Sequence, residues 1–532
     1  MKNEAYARAV VDADDPCADA WYRLLDAARG VDTPCLRDAY ARVLARFPLA
    51  AEYWAGAIDV EFAAAEFGRA ANLFSACLLA TRDARLFEKY VAMIRACNPL
   101  GPDAERAQTN IQQAFEFAIA HVDVDPGAGR LFADYLAFLR GLRLTPAFGA
   151  TQQRLALRRV YQIAIATPVD GVERIWDEYL AFEQATDPAV AEEIRAAISH
   201  KYVAARTAYR ARKYHLAQLS CVGLPRARIS SDELARWRAY TEFERGNPQR
   251  CEPPAYYTRV CHVYDRVLAP LYLVPEMWHE AARFCADNER PDDALAYYRR
   301  GCAALPRCEA LHFAYADFCE ATNRPESARE IYDALWKRCG TPRVHIARMR
   351  FERRAGDIPR ARRALLDAMA SPTCAPEVYL HGARMELFAV RAPLKALAIL
   401  EAGMTRHAGA PGYAIEAARL AQTMHDDAKV RSILDRALAA APGYGAAVRA
   451  FYAEFERDYG SRASLARVVG EDAMHALADD DAVPPEVQAL LASIQHISVP
   501  RPPEAVVEYA TSRLVSAPMD VFRERHQLNK NM

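Results

Sequence analysis

Along most of this chain the apolar side chains return every three or four residues. In Ile175-Trp176-Asp177-Glu178-Tyr179-Leu180-Ala181-Phe182-Glu183 the large apolar residues stand 3, 4 and 7 positions apart. That spacing lays them on one stripe of an α-helix, which turns once in about 3.6 residues. Leu131–Phe138, Arg236–Glu244 and Ala450–Glu456 repeat the pattern: an aromatic or large apolar residue, Tyr or Leu three or four on, a further aromatic, and often a closing Glu.

A second kind of segment follows, of the form Ala-Arg-x-apolar-Tyr-x-x-Ala/Leu and often ending at proline. Leu157–Ala164 (before Pro168), Ala328–Leu335, Ala361–Leu366 and Val430–Leu438 are examples. The small alanine lets two helices approach closely, and proline stops a helix because it has no N–H to donate. Trp21 to Trp54 and Trp54 to Phe87 are 33 residues each, Phe313 to Ile346 is 33, and Ile346 to Leu380, Leu380 to Ala414 and Ala414 to Val448 are 34. A helical hairpin with short turns occupies about 34 residues. The spacing predicts an all-α fold, an α-solenoid of about twelve hairpins between Ala20 and Asp472. Two longer intervals, Phe132 to Trp176 (44) and Trp176 to Trp237 (61), break the rhythm, and the second marks the expected domain boundary. The expected organisation is an N-terminal subdomain over 1–230, a C-terminal subdomain over 231–475, a linker over 476–498 and a terminal segment over 499–532. Stacked neighbours bury a stripe that one hairpin cannot cover. Burying one Trp or Phe stabilises by roughly 1.5–3 kcal/mol, so Trp176 and Trp237 are expected as packing residues.

Composition supports a large core: 52% of the 532 residues are hydrophobic and 26% charged. Glycine, at 22 residues, is too scarce for dinucleotide-binding sheets or turn-rich β-sandwiches. The formal net charge of −1 argues against coating nucleic acid by bulk attraction. The 13 cysteines include no C-x-x-C pair, and no H-E-x-x-H, Walker, G-x-S-x-G or G-x-G-x-x-G motif occurs. The expectation is a protein without catalytic residues, metal or cofactor. The start, Met1 to Tyr6, has no apolar signal core, and no run of 18 apolar residues exists to span a membrane. A reducing compartment, cytosol or nucleus, is expected.

Two basic stretches change the picture locally. From Ile194 to Ser231 there are eight Arg or Lys and no acid, with Tyr202, Tyr209 and Tyr214 interleaved. Within it Arg206, Arg210, Arg212 and Lys213 form a candidate patch for RNA phosphate or an acidic partner. Arg343 to Arg363 carries eight arginines against Glu352 and Asp357. A solvated helix face is the competing reading of both.

The first segment, W-x-x-Y/L-x-x-F/L-E, paired with A-R-x-I/V-Y/F-x-R-A/C-L, resembles the half-a-TPR (HAT) repeat of RNA-processing proteins. Arg158–Gln162 followed by Ile175–Glu183, Trp237–Pro248, and Leu311–Glu320 are similar to the Suppressor-of-forked family. That family is the large scaffold subunit of cleavage stimulation factor, acting in mRNA 3′-end processing. The end of the chain resembles the family's C-terminal tail, in Val499-Pro500-Arg501-Pro502-Pro503-Glu504-Ala505-Val506-Val507 and Met519-Asp520-Val521-Phe522-Arg523.

The resemblance implies a nuclear, non-catalytic scaffold that forms a homodimer through its C-terminal HAT half. It implies a tail that folds with the RNA-recognition-motif subunit of cleavage stimulation factor, through Pro502, Pro503, Val506, Val507, Leu514, Met519, Val521 and Phe522. Other cleavage and polyadenylation factor subunits are expected partners, with RNA contacted mostly indirectly and no membrane. The spacer before the tail is shorter than the family's, and Glu508 and Thr511 interrupt the apolar run. The alternative is a HAT scaffold of splicing or ribosome biogenesis, whose members lack such a tail.

Overall fold

A computed structural model describes residues 18–99, 104–122, 125–142, 149–219, 229–371, 374–407, 409–440 and 445–470. Every regular element among them is helical, and none is long and apolar enough to cross a membrane. The chain divides into two compact units, Met1–Cys374 and Ala375–Met532.

The first unit holds nine hairpins. They are α1 Ala18–Arg29 with α2 Thr33–Arg46, α3 Ala51–Ala63 with α4 Phe67–Thr81, and α5 Ala84–Cys97 with α6 Ala104–His121. Next come α7 Gly129–Arg140 with α8 Ala150–Ala166, α9 Val172–Thr186 with α10 Pro188–Ala217, and α11 Ser231–Arg245 with α12 Pro253–Leu268. The last three are α13 Pro275–Asp287 with α14 Pro291–Ala304, α15 Glu309–Ala321 with α16 Pro325–Cys339, and α17 Pro342–Arg354 with α18 Ile358–Ala370. The second unit holds three: α19 Pro376–Arg384 with α20 Pro393–His407, α21 Pro411–Gln422 with α22 Asp427–Ala440, and α23 Gly445–Tyr459 with α24 Arg462–Val469. A π-helical turn, Met385–Ala389, extends α19. The repeat count read from the period holds for these described helices.

Two local readings shift. The period is right in the later repeats, but in three of them the phase is off by two residues: Phe313, Ile346 and Leu380 are half-buried, while Leu311, Val344 and Val378 carry the core; Ala414 and Val448 are buried as spaced. Many prolines also open helices as well as follow them. Pro253, Pro275, Pro291, Pro325 and Pro342 stand in the first turn, where the missing N–H has no intrahelical partner to lose and the ring presets a helical φ. The interval from Trp176 to Trp237 is long because α10 runs for 30 residues.

Trp237 (2% exposed) and Trp176 (8%) are packing residues as expected, Trp176 stacking on Tyr202 at 4.6 Å between ring centroids. One core runs from Trp21 to Leu311, so the boundary expected at residue 230 lies inside the first unit. The first hairpins of that unit also touch its later ones. Phe47 meets Tyr272 edge to face at 5.6 Å, Arg46 Nη1 donates to the Ala304 carbonyl at 2.8 Å, and Arg266 reaches Asp125 at 3.1 Å.

Close approach between helices rests on small residues. A Cβ built on Gly301 of α14 lies 2.9 Å from Trp278 Cγ and 3.0 Å from Leu311 Cδ2, and both neighbours are buried. Gly301→Ala gains helix propensity of about 0.5–1 kcal/mol but overpacks a core contact, which costs about 1–3 kcal/mol. Net destabilisation is expected, read as a lower midpoint in urea unfolding; a raised midpoint contradicts this packing.

Candidate interaction surfaces

The dominant polar feature is a fork repeated between successive hairpins. An arginine on the second helix of one hairpin holds, with two N–H groups, a glutamate in the last turn of the first helix of the next. Arg37 holds Glu61 at 2.8 and 2.7 Å, and Arg158 holds Glu183 at 2.7 and 2.6 Å. Arg329 holds Glu352 at 2.9 and 3.0 Å, and Arg431 holds Glu456 at 2.7 and 3.3 Å. In these four the partners stand 23–25 residues apart in sequence. The fifth, Arg212 with Glu244 at 2.5 and 3.1 Å, spans 32 because 13 residues separate the end of α10 from the start of α11. Arg329 and Arg431 also lie over the aromatic ring preceding their glutamate, Phe351 at 5.8 Å and Phe455 at 5.5 Å. The motif's aromatic-Glu pair and its Ala-Arg pair are thus two halves of one contact. The sequence displayed both halves, but not which arginine meets which glutamate.

At the fifth fork Arg259 adds a further bond to Glu244 at 3.3 Å, and Arg212 Nη1 donates to the Pro168 carbonyl at 3.3 Å. Burial lifts the Glu244 carboxyl, but Arg212 and then Arg259 overcome it and hold the group below the ordinary carboxylate range.

These contacts correct the candidate basic patch. Arg212 is fully buried and committed to Glu244, so it belongs to the core and cannot meet RNA. Arg206 Nε and Arg210 Nη2 converge on one carboxylate, Glu173 of α9, at 2.7 and 2.6 Å. The Tyr209 hydroxyl donates to Asp170 at 2.7 Å. The acid-free stretch is therefore part-neutralised by its neighbour. Lys213 remains exposed above the Tyr209 ring, beside Tyr214, which is 67% exposed. In the second stretch Arg348 faces Asp333 and Asp367, and Arg354 faces Glu320, while Arg353 and Arg363 are exposed. The tail residues Pro502, Pro503, Val506, Val507, Leu514, Met519, Val521 and Phe522 lie outside the described residues. In the second unit two large apolar side chains flank the turn between the π-helical end of α19 and the start of α20 on the surface: Phe388 (62% exposed) and Leu394 (80%).

Paired helices, stacked and locked by inter-hairpin forks, define a HAT-type helical-repeat protein. The chain matches the Suppressor of forked protein family over residues 2–478 and belongs to it. It is 29% identical over 455 residues to cleavage stimulation factor subunit 77 of Arabidopsis thaliana, covering 84% of this chain and 62% of that one. It is 25% identical over 527 residues to the protein suppressor of forked of Drosophila melanogaster, covering 88% and 68%. It is also 25% identical over 467 residues to the mRNA 3′-end-processing protein rna14 of Schizosaccharomyces pombe, covering 79% and 63%. The chain thus spans somewhat under or about two thirds of these relatives' length. A crystal structure of CstF-77 superposes with a TM-score of 0.55 at 14% identity, covering 82% of this chain and 90% of that one, which places the fold with it.

Glu244→Ala leaves two buried guanidiniums facing each other and is expected to cost about 3–5 kcal/mol. Glu173→Ala, which removes solvent-exposed contacts to Arg206 and Arg210, is expected to cost far less, because water screens them. Because the Glu244 carboxyl titrates below its unfolded value of about 4.3, its contribution is present above that pH and is lost as pH falls through the lowered folded value. Denaturant unfolding at neutral and acid pH checks both: the gap between wild type and Glu244→Ala narrows in acid, and an equal cost for the two substitutions refutes the assignment.

Proposed function

We propose that this chain is a non-catalytic scaffold of the nuclear machinery that cleaves and polyadenylates mRNA 3′ ends. The observation that carries the reading is the fork-locked hairpin stack in a member of the Suppressor of forked family. A stack of this kind spends its buried polar groups on holding repeats in register and offers long outer faces to other proteins.

In this reading the second unit makes a homodimer. Phe388 and Leu394 support it, because two large apolar side chains exposed at one turn gain from being covered. The π-helical turn beside them, Met385–Ala389, is a local irregularity of a kind that clusters at functional positions. The tail, 499–532, holds an RNA-recognition-motif subunit, and other cleavage and polyadenylation factors take the outer faces. A dimer then carries two RNA-binding modules, and linkage raises their effective affinity without a new contact. The chain itself touches RNA only weakly, through Lys213 and Tyr214 with Arg210.

Native mass measurement should give twice the chain mass for the wild type and the single-chain mass for Phe388→Glu/Leu394→Glu. A chain ending at Ser498 should keep the dimer and fail to retain the RNA-recognition-motif subunit in affinity purification. A monomeric wild type removes the dimer, and retained subunit removes the tail's role. Arg210→Glu/Lys213→Glu should lower residual affinity for U-rich RNA several-fold in low salt, because each phosphate left without its cation keeps its condensed counterions; unchanged affinity removes this patch.

A further inference from the structure

Of the five forks, the first is built with smaller residues than the others. Four positions before the glutamate the other forks carry Tyr179, Tyr240, Arg348 and Tyr452, and the first carries Ala57. One position before it the others carry Phe182, Phe243, Phe351 and Phe455, and the first carries Val60. Four positions after the arginine the others carry Gln162, Leu216, Asp333 and Asp435, and the first carries Ala41.

These three small residues line one pocket. Its volume is ≈ 300 Å³, and it lies over α3 between α2 and α4, with Arg37 and Glu61 of the fork in its wall. That is the lower end of the roughly 300–1,000 Å³ of pockets that bury a small molecule. Ala41 and Arg69 at its edge are exposed, and Val60 and Leu73 are half-buried, so its mouth is open to water.

At the other forks an aromatic ring fills the corresponding place. The ring before the glutamate meets the side chain three positions after the arginine. Phe182 meets Tyr161 at 5.6 Å between centroids, Phe243 meets His215 at 4.9 Å, and Phe351 meets Tyr332 at 5.1 Å. In two forks the same ring also lies under the arginine. At the first fork Tyr40 stands three after Arg37, and with Val60 in the chain neither has that ring beside it. Walls with no atoms opposite them forgo dispersion contacts, which a ring brought from outside restores.

The charge at the mouth narrows what carries the ring. Two guanidiniums and one carboxylate line the pocket. Arg37 is committed to Glu61 at 2.8 and 2.7 Å. Arg69 makes no ion pair among the described residues, so one positive charge is left over. One cation beside an apolar slot suits an aromatic side chain with a carboxylate next to it. A nucleic-acid strand needs a positively charged groove along its backbone, which this lining lacks.

We propose that this pocket receives a Phe or Tyr side chain of a partner peptide, seated against Val60 and Leu73 beside the Arg37 guanidinium, with an adjacent acidic residue on Arg69. The guest completes from outside the contact that the motif completes from inside at the other forks. The proposal rests on the repeat geometry alone and holds whether or not the processing role does.

The test titrates the full chain with fluorescein-labelled Gly-Ser-Phe-Asp-Ser-Gly, following anisotropy. Two control peptides carry Ala for Phe or Asn for Asp. The parent peptide is expected to bind about tenfold or more tightly than the Ala peptide, and several-fold more tightly than the Asn peptide. Val60→Phe supplies the ring from within, and Ala41→Leu fills the pocket from an exposed position. Each should abolish the preference for Phe without lowering the urea midpoint; if Val60→Phe lowers it, Ala41→Leu decides. Arg69→Gln should remove the preference for Asp and keep that for Phe. U-rich RNA should not displace the peptide. Equal binding of the Phe and Ala peptides, a preference for Phe undiminished in Ala41→Leu, a preference for Asp undiminished in Arg69→Gln, displacement by RNA, or no binding at millimolar peptide overturns the proposal.

Discussion

A carboxylate buried between two hairpins has to meet a cation there or be expelled. The fold depends on that requirement. A glutamate taken out of water loses several kcal/mol of hydration, and the loss is recovered only by a well-aligned, hydrogen-bonded partner. Arginine supplies two parallel N–H groups in a rigid plane, so each fork fixes both the distance and the register between neighbouring repeats. Apolar stripes alone would tolerate a slip of one turn. With Glu183 on Arg158 or Glu352 on Arg329, a slip strands both charges.

The same requirement shapes the surface. Charges that look abundant in sequence are largely consumed within the stack, by forks inside and by pairs between successive helices outside, such as Arg238 with Glu280 and Arg384 with Glu416. What is left over is local and specific. Lys213 and Tyr214 stand free of the pairing around Glu173, and Phe388 and Leu394 stand free of the core. Contact with partners in a protein of this kind rests on such leftovers.

The repeat was legible because a helix stripe is a local property: three to four residues of chain decide whether Trp176 and Tyr179 share a face. The hairpin count and the packing roles of Trp176 and Trp237 follow from that. The phase of the later repeats was less legible, since Leu311 and Phe313 are similar in character and only the neighbouring hairpin decides which is covered. Arg212 was misread as patch because its partner is 32 residues away on the next hairpin. Arg206 and Arg210 looked unopposed because Glu173 lies outside their own acid-free stretch.

By itself the sequence determined the all-helical architecture, its period of 33 to 34 residues and the family resemblance, since all three are written in short-range spacing of apolar, aromatic and arginine positions. Only the tertiary structure decided which arginine serves which glutamate, that the first hairpins meet α12 and α14, and that a pocket stays open at the first fork. Pairing across space depends on how far each helix and connection runs and how each hairpin turns against the next, and the 13 residues between α10 and α11 are enough to take the fork that spans them out of the simple interval.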